Sequence, residues 1–273
     1  MKAPISSLRL RTTSGMEAEM ATEKREFPSA AGEMLAARLD LPDGPLRGCA
    51  LFAHCFTCTK DLPCITRISR ALAAEGIAVL RLDFTGLGQS EGDFSHSNFS
   101  SNVADLIAAA DYLSRTIGPP TLLIGHSLGG AASIAAAVRL EGIRGIVAIA
   151  APSQPAHLAD LLAGQMGNFE PDGTSRIVIG GQTFALRRQL LDDLRAQDVL
   201  GTLRDQFRGA FLVLHSPEDA TVDIQHAEAL FAAASQPKSF VALPGADHLL
   251  AKPTDSAYAA SVIAAWAGHV MFD

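Results

Sequence analysis

The sequence has little of what marks several common protein classes. Of its 273 residues only four are cysteines, and all of them fall within Cys49–Cys64. This pattern does not indicate the disulfide framework of a small secreted domain and favours a reducing, cytoplasmic location. Lys and Arg form no cluster, and 29 acidic residues outnumber 22 basic ones. Because nucleic-acid binding needs concentrated positive charge, nucleic acid is not an expected partner.

Long hydrophobic runs are also missing. No apolar stretch approaches the roughly 18 residues of a membrane-spanning helix, so we expect no membrane partner. The first twenty residues mix charges with Ser and Thr instead of forming the apolar block of a secretory signal. Apolar residues nevertheless make up 48% of the chain and charged residues 19%. This composition suits a large folded core and excludes disorder throughout the chain.

Short apolar runs alternate with helical patterns along most of the chain. After an early strand over Met34–Leu41, the runs cover Cys49–His54, Ala78–Phe84, Thr121–Gly125, Ile146–Ala150, Phe211–His215 and Ser239–Leu243. Continuous apolar strands are typical of a parallel sheet buried on both faces. The alternation predicts an α/β fold with a mostly parallel, doubly wound sheet. Residues 1–24 lack such a pattern, so we expect a flexible leader there and one domain over residues 25–273.

Residues 152–208 break this alternation, because the segment is too long for a simple crossover connection. Within it, Arg176–Ile179 and Gln182–Leu186 flank Gly180-Gly181, which is a strong two-residue hairpin signal. A helix is predicted over Arg187–Arg195. Ligands of open α/β sheets bind at the carboxyl edge of the strands. We therefore interpret residues 152–208 as a small hairpin-plus-helix cap over that edge, although a structural excursion without function is the alternative.

The sharpest motif is Gly125-His126-Ser127-Leu128-Gly129, which follows an apolar run and opens a helical pattern. In a G-x-S-x-G turn the serine takes a strained position, and bulky residues two before or two after it would collide with their neighbours. The amino end of the following helix directs N–H groups toward the serine and favours negative charge there. This context predicts that Ser127 is a nucleophile rather than an idle serine in a tight turn.

A serine hydroxyl needs a base, and the base needs an orienting group. Asp219 follows one predicted strand and His248 follows the next. This reproduces the order serine, acid, histidine that is found in hydrolases with a G-x-S-x-G turn. We predict Asp219 as the acid and His248 as the base. Glu218 is the competing acid, and Asp247 is interpreted as a solvated or supporting neighbour.

Acyl transfer also needs two N–H donors for the tetrahedral oxygen. The first predicted donor is Leu128, directly after the nucleophile. Hydrolases usually carry His-Gly-X in the loop after the first parallel strand, with X donating. The corresponding residues here are His54-Cys55-Phe56, which makes Phe56 the second predicted donor and puts Cys55 where glycine is usual.

Cys55 and Cys58 have the C-x-x-C spacing of a redox pair or of half a zinc site. The surrounding sequence resembles neither, so we favour a packing role, with Cys55 as a wall of the site. Candidate pocket residues are Cys55, His126, Ile179 and Phe184. No metal or cofactor is expected.

Six segments carry a family resemblance: AHCFTCTKD, RLDFTGLGQSEGDF, NFSSNVADL, LIGHSLGGAA, LHSPEDATV and GADHLL. They resemble the α/β-hydrolase domain that many bacteria fuse to an OsmC-like peroxide-reducing domain, and the insertion is similar to the cap of feruloyl and cinnamoyl esterases. The resemblance implies Ser127, Asp219 and His248 as the triad, with Phe56 and Leu128 as oxyanion donors. No OsmC-like segment precedes Asp273, so hydroperoxide reduction is not expected.

The sequence thus predicts a cytoplasmic serine hydrolase that cleaves small or short-acyl and aryl carboxylic esters through an acyl-enzyme. Alternatives are a thioesterase or peptidase with the same triad, a binding module that kept the fold, and a redox accessory protein that uses Cys55 and Cys58.

Overall fold

The computed structural model describes residues 21–272, in which strands and helices alternate. The strands are β1 (Thr22–Pro28), β2 (Met34–Asp40), β3 (Gly48–Ala53), β4 (Ile77–Leu82), β5 (Leu122–His126), β6 (Gly145–Ile149), β7 (Thr174–Ile179), β8 (Gln182–Arg187), β9 (Ala210–His215) and β10 (Lys238–Ala242). The helices are α1 (Pro63–Ala74), α2 (Phe99–Thr116), α3 (Leu128–Ala137), α4 (Ala156–Gln165), α5 (Arg188–Ala196), α6 (Val199–Gln206), α7 (Ile224–Ala233) and α8 (Pro253–Phe272), with a 3₁₀ turn at Phe94–His96.

Eight strands form one sheet in the order β1-β2-β4-β3-β5-β6-β9-β10. From β4 to β10 all neighbours are parallel, and β2 and β1 extend the sheet in antiparallel pairing. The central strands are buried on both faces because α1 and α8 cover one side while α2 and α3 cover the other. This confirms the predicted fold class.

The first strand corrects the predicted leader. β1 begins at Thr22, so residues 22–24 belong to the sheet, whereas residues 1–20 lie outside the described part of the chain. The sequence of β1 is TEKREFP, and Phe27 is its only fully buried residue. An outer strand that is half exposed does not show the continuous apolar run by which the inner strands were predicted.

The insertion contains the predicted hairpin. β7 and β8 pair antiparallel around Gly180-Gly181, and both glycines have positive φ (58° and 80°), as the two-residue turn requires. The helix α4, which was not predicted from the sequence, packs against α5 in the same insertion. By contrast, α6 contacts α3 and α7 of the main helical layer. The last part of residues 152–208 therefore packs on the body of the domain.

The parallel strands end at one edge of the sheet, and four of them deliver the predicted site residues there. Phe56 follows β3, Ser127 follows β5, Asp219 follows β9 and His248 follows β10. The fold therefore brings together residues that are up to 192 positions apart (248 − 56). Within the described residues, no helix is both long enough and apolar enough to cross a membrane.

Candidate active site

Ser127 stands in a strained turn between β5 and α3. Its φ of 53° and ψ of −126° lie where residues other than glycine are rarely found. The Ser127 N–H donates to the carbonyl of Ile149 at 2.8 Å, and the Ser127 carbonyl accepts from Gly130 at 2.8 Å. Two backbone hydrogen bonds thus hold a conformation that an isolated chain would avoid.

The glycines of this turn are required by close backbone contacts. A Cβ at Gly125 would lie 2.3 Å from the carbonyl oxygen of Gly129, and a Cβ at Gly129 would lie 2.4 Å from that of His54. Both distances are far below van der Waals contact, and the opposing atoms are backbone. The turn therefore packs directly on the end of β3, which brings Ser127 and Leu128 next to the loop that follows that strand.

His248 bridges Ser127 and Asp219. Its Nδ1 lies 2.8 Å from Oδ2 of Asp219, and its Nε2 lies 3.0 Å from Oγ of Ser127. Burial favours the neutral carboxyl of Asp219, but hydrogen bonds from His248 and from the N–H groups of Val222 and Thr221 outweigh burial and lower its pKa. An ionised Asp219 accepts a hydrogen bond from the Nδ1–H of His248, which leaves the lone pair of the ring on Nε2, directed at the serine hydroxyl.

The competing carboxylates are bound elsewhere. Glu218 accepts a hydrogen bond from the N–H of Gly245 at 2.9 Å, and this contact lowers its pKa. Asp247 accepts from the N–H groups of Leu249 and Ala251. Among these three neighbouring acids, Asp219 is the one that contacts the histidine.

Two further histidines lie behind this arrangement. His126 is buried, and its Nε2 donates to the carbonyl oxygen of His248 at 2.7 Å. Burial lowers the pKa of His126 to about 4, so its ring is neutral near pH 7. The Nε2 of His215 donates to the carbonyl of Val222 at 2.8 Å, and burial lowers the pKa of this ring as well. Each ring thus supports the backbone of a loop, His126 the loop that carries His248 and His215 the loop that carries Asp219.

The loop after β3 is held by a histidine whose protonation follows from its partners. The Phe84 N–H donates to Nε2 of His54 at 3.2 Å, so the ring proton is on Nδ1 and is donated to the Cys55 carbonyl at 2.7 Å. Burial lowers the pKa of His54 and keeps the ring neutral. No backbone carbonyl among the described residues accepts from the N–H of Phe56, the second predicted oxyanion donor.

The far end of the same loop is anchored by a buried ion pair that the sequence analysis did not predict. Nζ of Lys60 lies 2.6 Å from Oδ2 of Asp83, and both side chains are at most 1% exposed. The backbone N–H of Lys60 donates to the other oxygen of Asp83 at 2.7 Å. The available signal was a charged residue just after the cysteine-containing loop that follows β3, but sequence alone does not identify its partner.

Cys55 and Cys58 are joined by a disulfide, with their Cα atoms 5.3 Å apart. The packing role favoured from the sequence did not include this crosslink, and the bond removes the cysteine pattern as an argument for a reducing compartment. Cys49 and Cys64 are free and buried, and burial raises the pKa of each thiol to about 11.

A cavity of about 550 Å³ opens beside Ser127 and His248. Its walls are the loop after β3, the side of α4 that carries Leu158, Leu161 and Leu162, and the tip of the hairpin, with Val178 and Ile179.

Of the predicted pocket residues, Cys55 and Ile179 line the cavity, as do Phe56 and Leu128. His126 and Phe184 do not line it. The His126 ring contacts the backbone of His248, and Phe184 packs edge-on against Phe94 with ring centroids 5.4 Å apart. The helix α4 supplies lining residues that sequence reasoning missed. In residues 21–272, no group of three or more His, Cys, Asp or Glu side chains is placed to hold a metal ion.

Comparisons with known proteins identify the family and the fold. Residues 50–261 match the model of the alpha/beta hydrolase family. The esterase domain of a Rhodothermus marinus protein is 42% identical, with a TM-score of 0.75 over 92% of this chain and 99% of that one. No curated protein sequence matches the chain closely enough to count as a relative.

Two more distant structures share the fold. Est1E from Butyrivibrio proteoclasticus, solved with ferulic acid bound, is 19% identical, with a TM-score of 0.78 over 91% of this chain and all of that one. A serine hydrolase without a lid from Xanthomonas campestris is 21% identical, with a TM-score of 0.64 over 90% of this chain and 94% of that one. Since the family model covers most of the chain and a 42% identical esterase domain covers nearly all of it, the chain belongs to the alpha/beta hydrolase family.

Proposed function

We propose that this protein is a serine hydrolase that cleaves carboxylic esters through an acyl-enzyme intermediate. The observation that carries the proposal is the position of His248, which contacts Asp219 at 2.8 Å and Ser127 at 3.0 Å beside an open cavity. This is the arrangement by which a weak hydroxyl nucleophile is activated in acyl transfer.

In the proposed reaction, Oγ of Ser127 attacks the ester carbonyl while Nε2 of His248 takes the hydroxyl proton. Asp219 holds the ring by its Nδ1–H and stabilises the imidazolium. The N–H groups of Leu128 and Phe56 donate to the oxyanion. His248 then returns the proton to the leaving alcohol, and water repeats the sequence on the acyl-enzyme. Every step uses groups of this chain together with the ester and water.

The cavity supports small neutral acyl or aryl groups as the substrate class. Among the described residues, no Asp, Glu, Lys or Arg lines it, and leucines of α4 with Val178 and Ile179 form much of its wall. We propose that α4 and the hairpin act as a lid over the acyl group. The esterase domain that is 42% identical supports ester cleavage, and the ferulic acid bound to Est1E supports an aryl group.

Loss of the nucleophile tests the proposal. Ser127→Ala should lower turnover of 4-nitrophenyl esters by about 10⁴–10⁶ without changing the melting temperature by more than a few degrees. A fluorophosphonate probe should label the wild type and not the variant. Retained hydrolysis by the folded variant, or labelling at another serine, would refute the assignment.

Two neighbouring carboxylates, Asp219 and Glu218, provide a variant and its matched control in the same experiment. Asp219→Asn should lose most of the activity because the ring loses its ionised partner, whereas Glu218→Gln should stay close to wild type because Glu218 binds Gly245. Thioester and anilide analogues of the best ester, measured alongside, separate esterase from thioesterase and peptidase activity.

A further inference from the structure

We propose that the Cys55–Cys58 disulfide is a positioning element of the active site, which holds the Phe56 N–H toward the oxyanion and makes turnover depend on the oxidation state of this pair. The inference rests on the proposed function and adds a determinant of its rate. Both cysteines line the cavity that Ser127 and His248 border, so the bond lies at the reaction site.

The direction of the Phe56 N–H is set by the carbonyl of Cys55, because the two groups belong to one peptide unit. In a trans peptide the C=O and N–H bonds point to opposite sides. The Cys55 carbonyl accepts from Nδ1 of His54 at 2.7 Å and from the N–H of Cys58 at 3.1 Å. These two contacts fix the direction of the Cys55 carbonyl and therefore also the direction of the Phe56 N–H. An interaction that preserves the two contacts also preserves the position of this donor.

The disulfide closes the same turn covalently. It joins the two residues whose backbone groups form the hydrogen bond across Phe56 and Thr57. Inside this turn, Thr57 has a φ of 60°, a left-handed conformation that a β-branched residue adopts only when its surroundings impose it. Without the crosslink only hydrogen bonds oppose relaxation of Thr57, and that relaxation would weaken the bond from the Cys58 N–H to the Cys55 carbonyl. The peptide between Cys55 and Phe56 would then turn more freely.

Glycine is usual at the position of Cys55 in hydrolases, and it would leave the peptide free to adopt the required angles. A cysteine restricts them, and its crosslink to Cys58 fixes one choice. The unusual residue and the bond thus serve one purpose, which is to hold the second donor in place.

The cavity also gives a small dithiol access to the bond. Cys58 is partly exposed, whereas Cys55 is 4% exposed. A thiolate of the dithiol attacks Sγ of Cys58, forms a mixed disulfide and releases Cys55 as a thiol after protonation. The second thiolate of the reagent then attacks the sulfur of the reagent that is bonded to Cys58. This step releases Cys58 as a thiolate and closes a cyclic disulfide in the reagent. Two electrons pass from the reagent to the protein pair.

The other two cysteines do not take part. Cys49 and Cys64 are buried, and pKa values of about 11 leave little thiolate near neutral pH. Mild thiol chemistry is therefore confined to the pair in the active site, and either buried cysteine provides an internal control.

The test compares ester turnover by the oxidised and the dithiothreitol-reduced full chain, with free thiols counted after unfolding. We expect two free thiols before reduction and four after it. On reduction kcat should fall at least about tenfold, toward the 10²–10³ typical of a lost oxyanion donor, while KM changes by less than about threefold. Reoxidation should restore kcat.

Variants distinguish a disulfide that positions the Phe56 N–H from one that only stabilises the fold. Cys58→Ser and Cys55→Ser should each show the low kcat of the reduced enzyme and no response to dithiothreitol. Cys49→Ala should keep both the activity and the response. The rate of fluorophosphonate labelling should follow kcat, because that reaction uses the same donors.

Three results would overturn the inference. They are four free thiols in the oxidised protein, an unchanged kcat once the thiol count has risen to four, and a loss of activity that accompanies loss of cooperative melting. Absence of ester turnover in the oxidised wild type would instead contradict the proposed function itself, so the two failures are distinguishable.

Discussion

The turn that carries Ser127 and the loop that carries Phe56 meet at the same point, but different forces hold them. The turn is kept in place by close backbone contacts, since Gly129 leaves no room for a Cβ against His54. The loop is held by polar and covalent ties: the His54 ring, the Lys60–Asp83 pair and the disulfide. In our proposal each segment supplies one donor to one oxyanion.

The difference shows two ways of placing a backbone N–H. Steric exclusion between backbone atoms does not depend on pH or on redox conditions, so the turn responds to mutation alone. Ion pairs, hydrogen bonds and disulfides depend on protonation and on oxidation state. Conditions that leave the turn unchanged can therefore still act on the loop.

Among changes to the supports of these two segments, the largest effect is expected from breaking the steric arrangement of the turn. In Gly129→Ala the new Cβ would lie 2.4 Å from the carbonyl oxygen of His54, so the turn must move away from β3. We expect kcat/KM to fall by about 10²–10³ and the melting temperature to drop as well. Steady-state kinetics and thermal melting of the purified variant measure both.

Gly268→Ala is the matched control, because a Cβ added to that helical glycine would meet no atom within 4 Å. It should be neutral or slightly stabilising. Wild-type kinetics in Gly129→Ala would show that the turn tolerates displacement and would remove the contrast between the two segments.

The next effect concerns the anchor of the loop. Lys60→Met leaves the Asp83 carboxylate buried without its partner, which should cost about 3–5 kcal/mol of unfolding free energy. The double variant Lys60→Met/Asp83→Asn removes both charges and should recover part of that loss. Urea unfolding of the singles and the double gives the coupling energy.

An exposed ion pair serves as the comparison. Arg115 and Asp111 on α2 are as close, at 2.6 Å, but both side chains are more than 60% exposed. Arg115→Met should cost no more than about 0.5 kcal/mol. An equal cost for Lys60→Met and Arg115→Met would show that burial does not strengthen the anchor.

The smallest effect is a pH dependence next to the loop. Asp105 accepts from the N–H and hydroxyl of Thr85, the neighbour of Phe84, and burial raises its pKa to about 6. The unfolded value is about 3.9. Between these values the folded chain keeps a proton on Asp105 that the unfolded chain has lost. The contribution of Asp105 to stability therefore falls as pH rises from about 4 to about 6 and is level above that.

Asp105→Asn should remove this slope. From pH 4 to pH 7 the unfolding free energy of Asp105→Asn should rise relative to that of the wild type by about 2–3 kcal/mol. Urea unfolding at several pH values measures it, with Asp111→Asn on the same helix as the control. Parallel curves for Asp105→Asn and wild type would contradict the raised pKa.

Which features the sequence could predict depends on how they are built. The inner strands were predictable because burial on both faces leaves a continuous apolar run. Ser127, Asp219 and His248 were predictable because each lies within five residues after a predicted strand. β1 was missed because its exposed edge keeps it charged. The hydropathy pattern of a segment reflects the burial of its residues. The pattern is therefore clearest in a strand whose residues are all buried.

Features that depend on side-chain direction or on distant partners were not predictable. His126 and Phe184 lie near the predicted pocket in sequence, but their side chains point to His248 and Phe94 instead. A C-x-x-C spacing is compatible with free thiols, a metal or a disulfide, and only the geometry of the loop distinguishes them. The partner of Lys60 is 23 residues away, with no local sign of the pairing.

The charged character of β1 has a consequence for the protein in concentrated solution. In the described residues, β1 is the outermost strand at one side of an eight-stranded sheet. A strand at the edge of a sheet can offer unpaired backbone groups to the sheets of other molecules, and charges and proline discourage such pairing. The run Glu23-Lys24-Arg25-Glu26 and the final Pro28 provide both. The charged residues that made β1 hard to predict from its sequence therefore also protect the sheet against edge-to-edge aggregation.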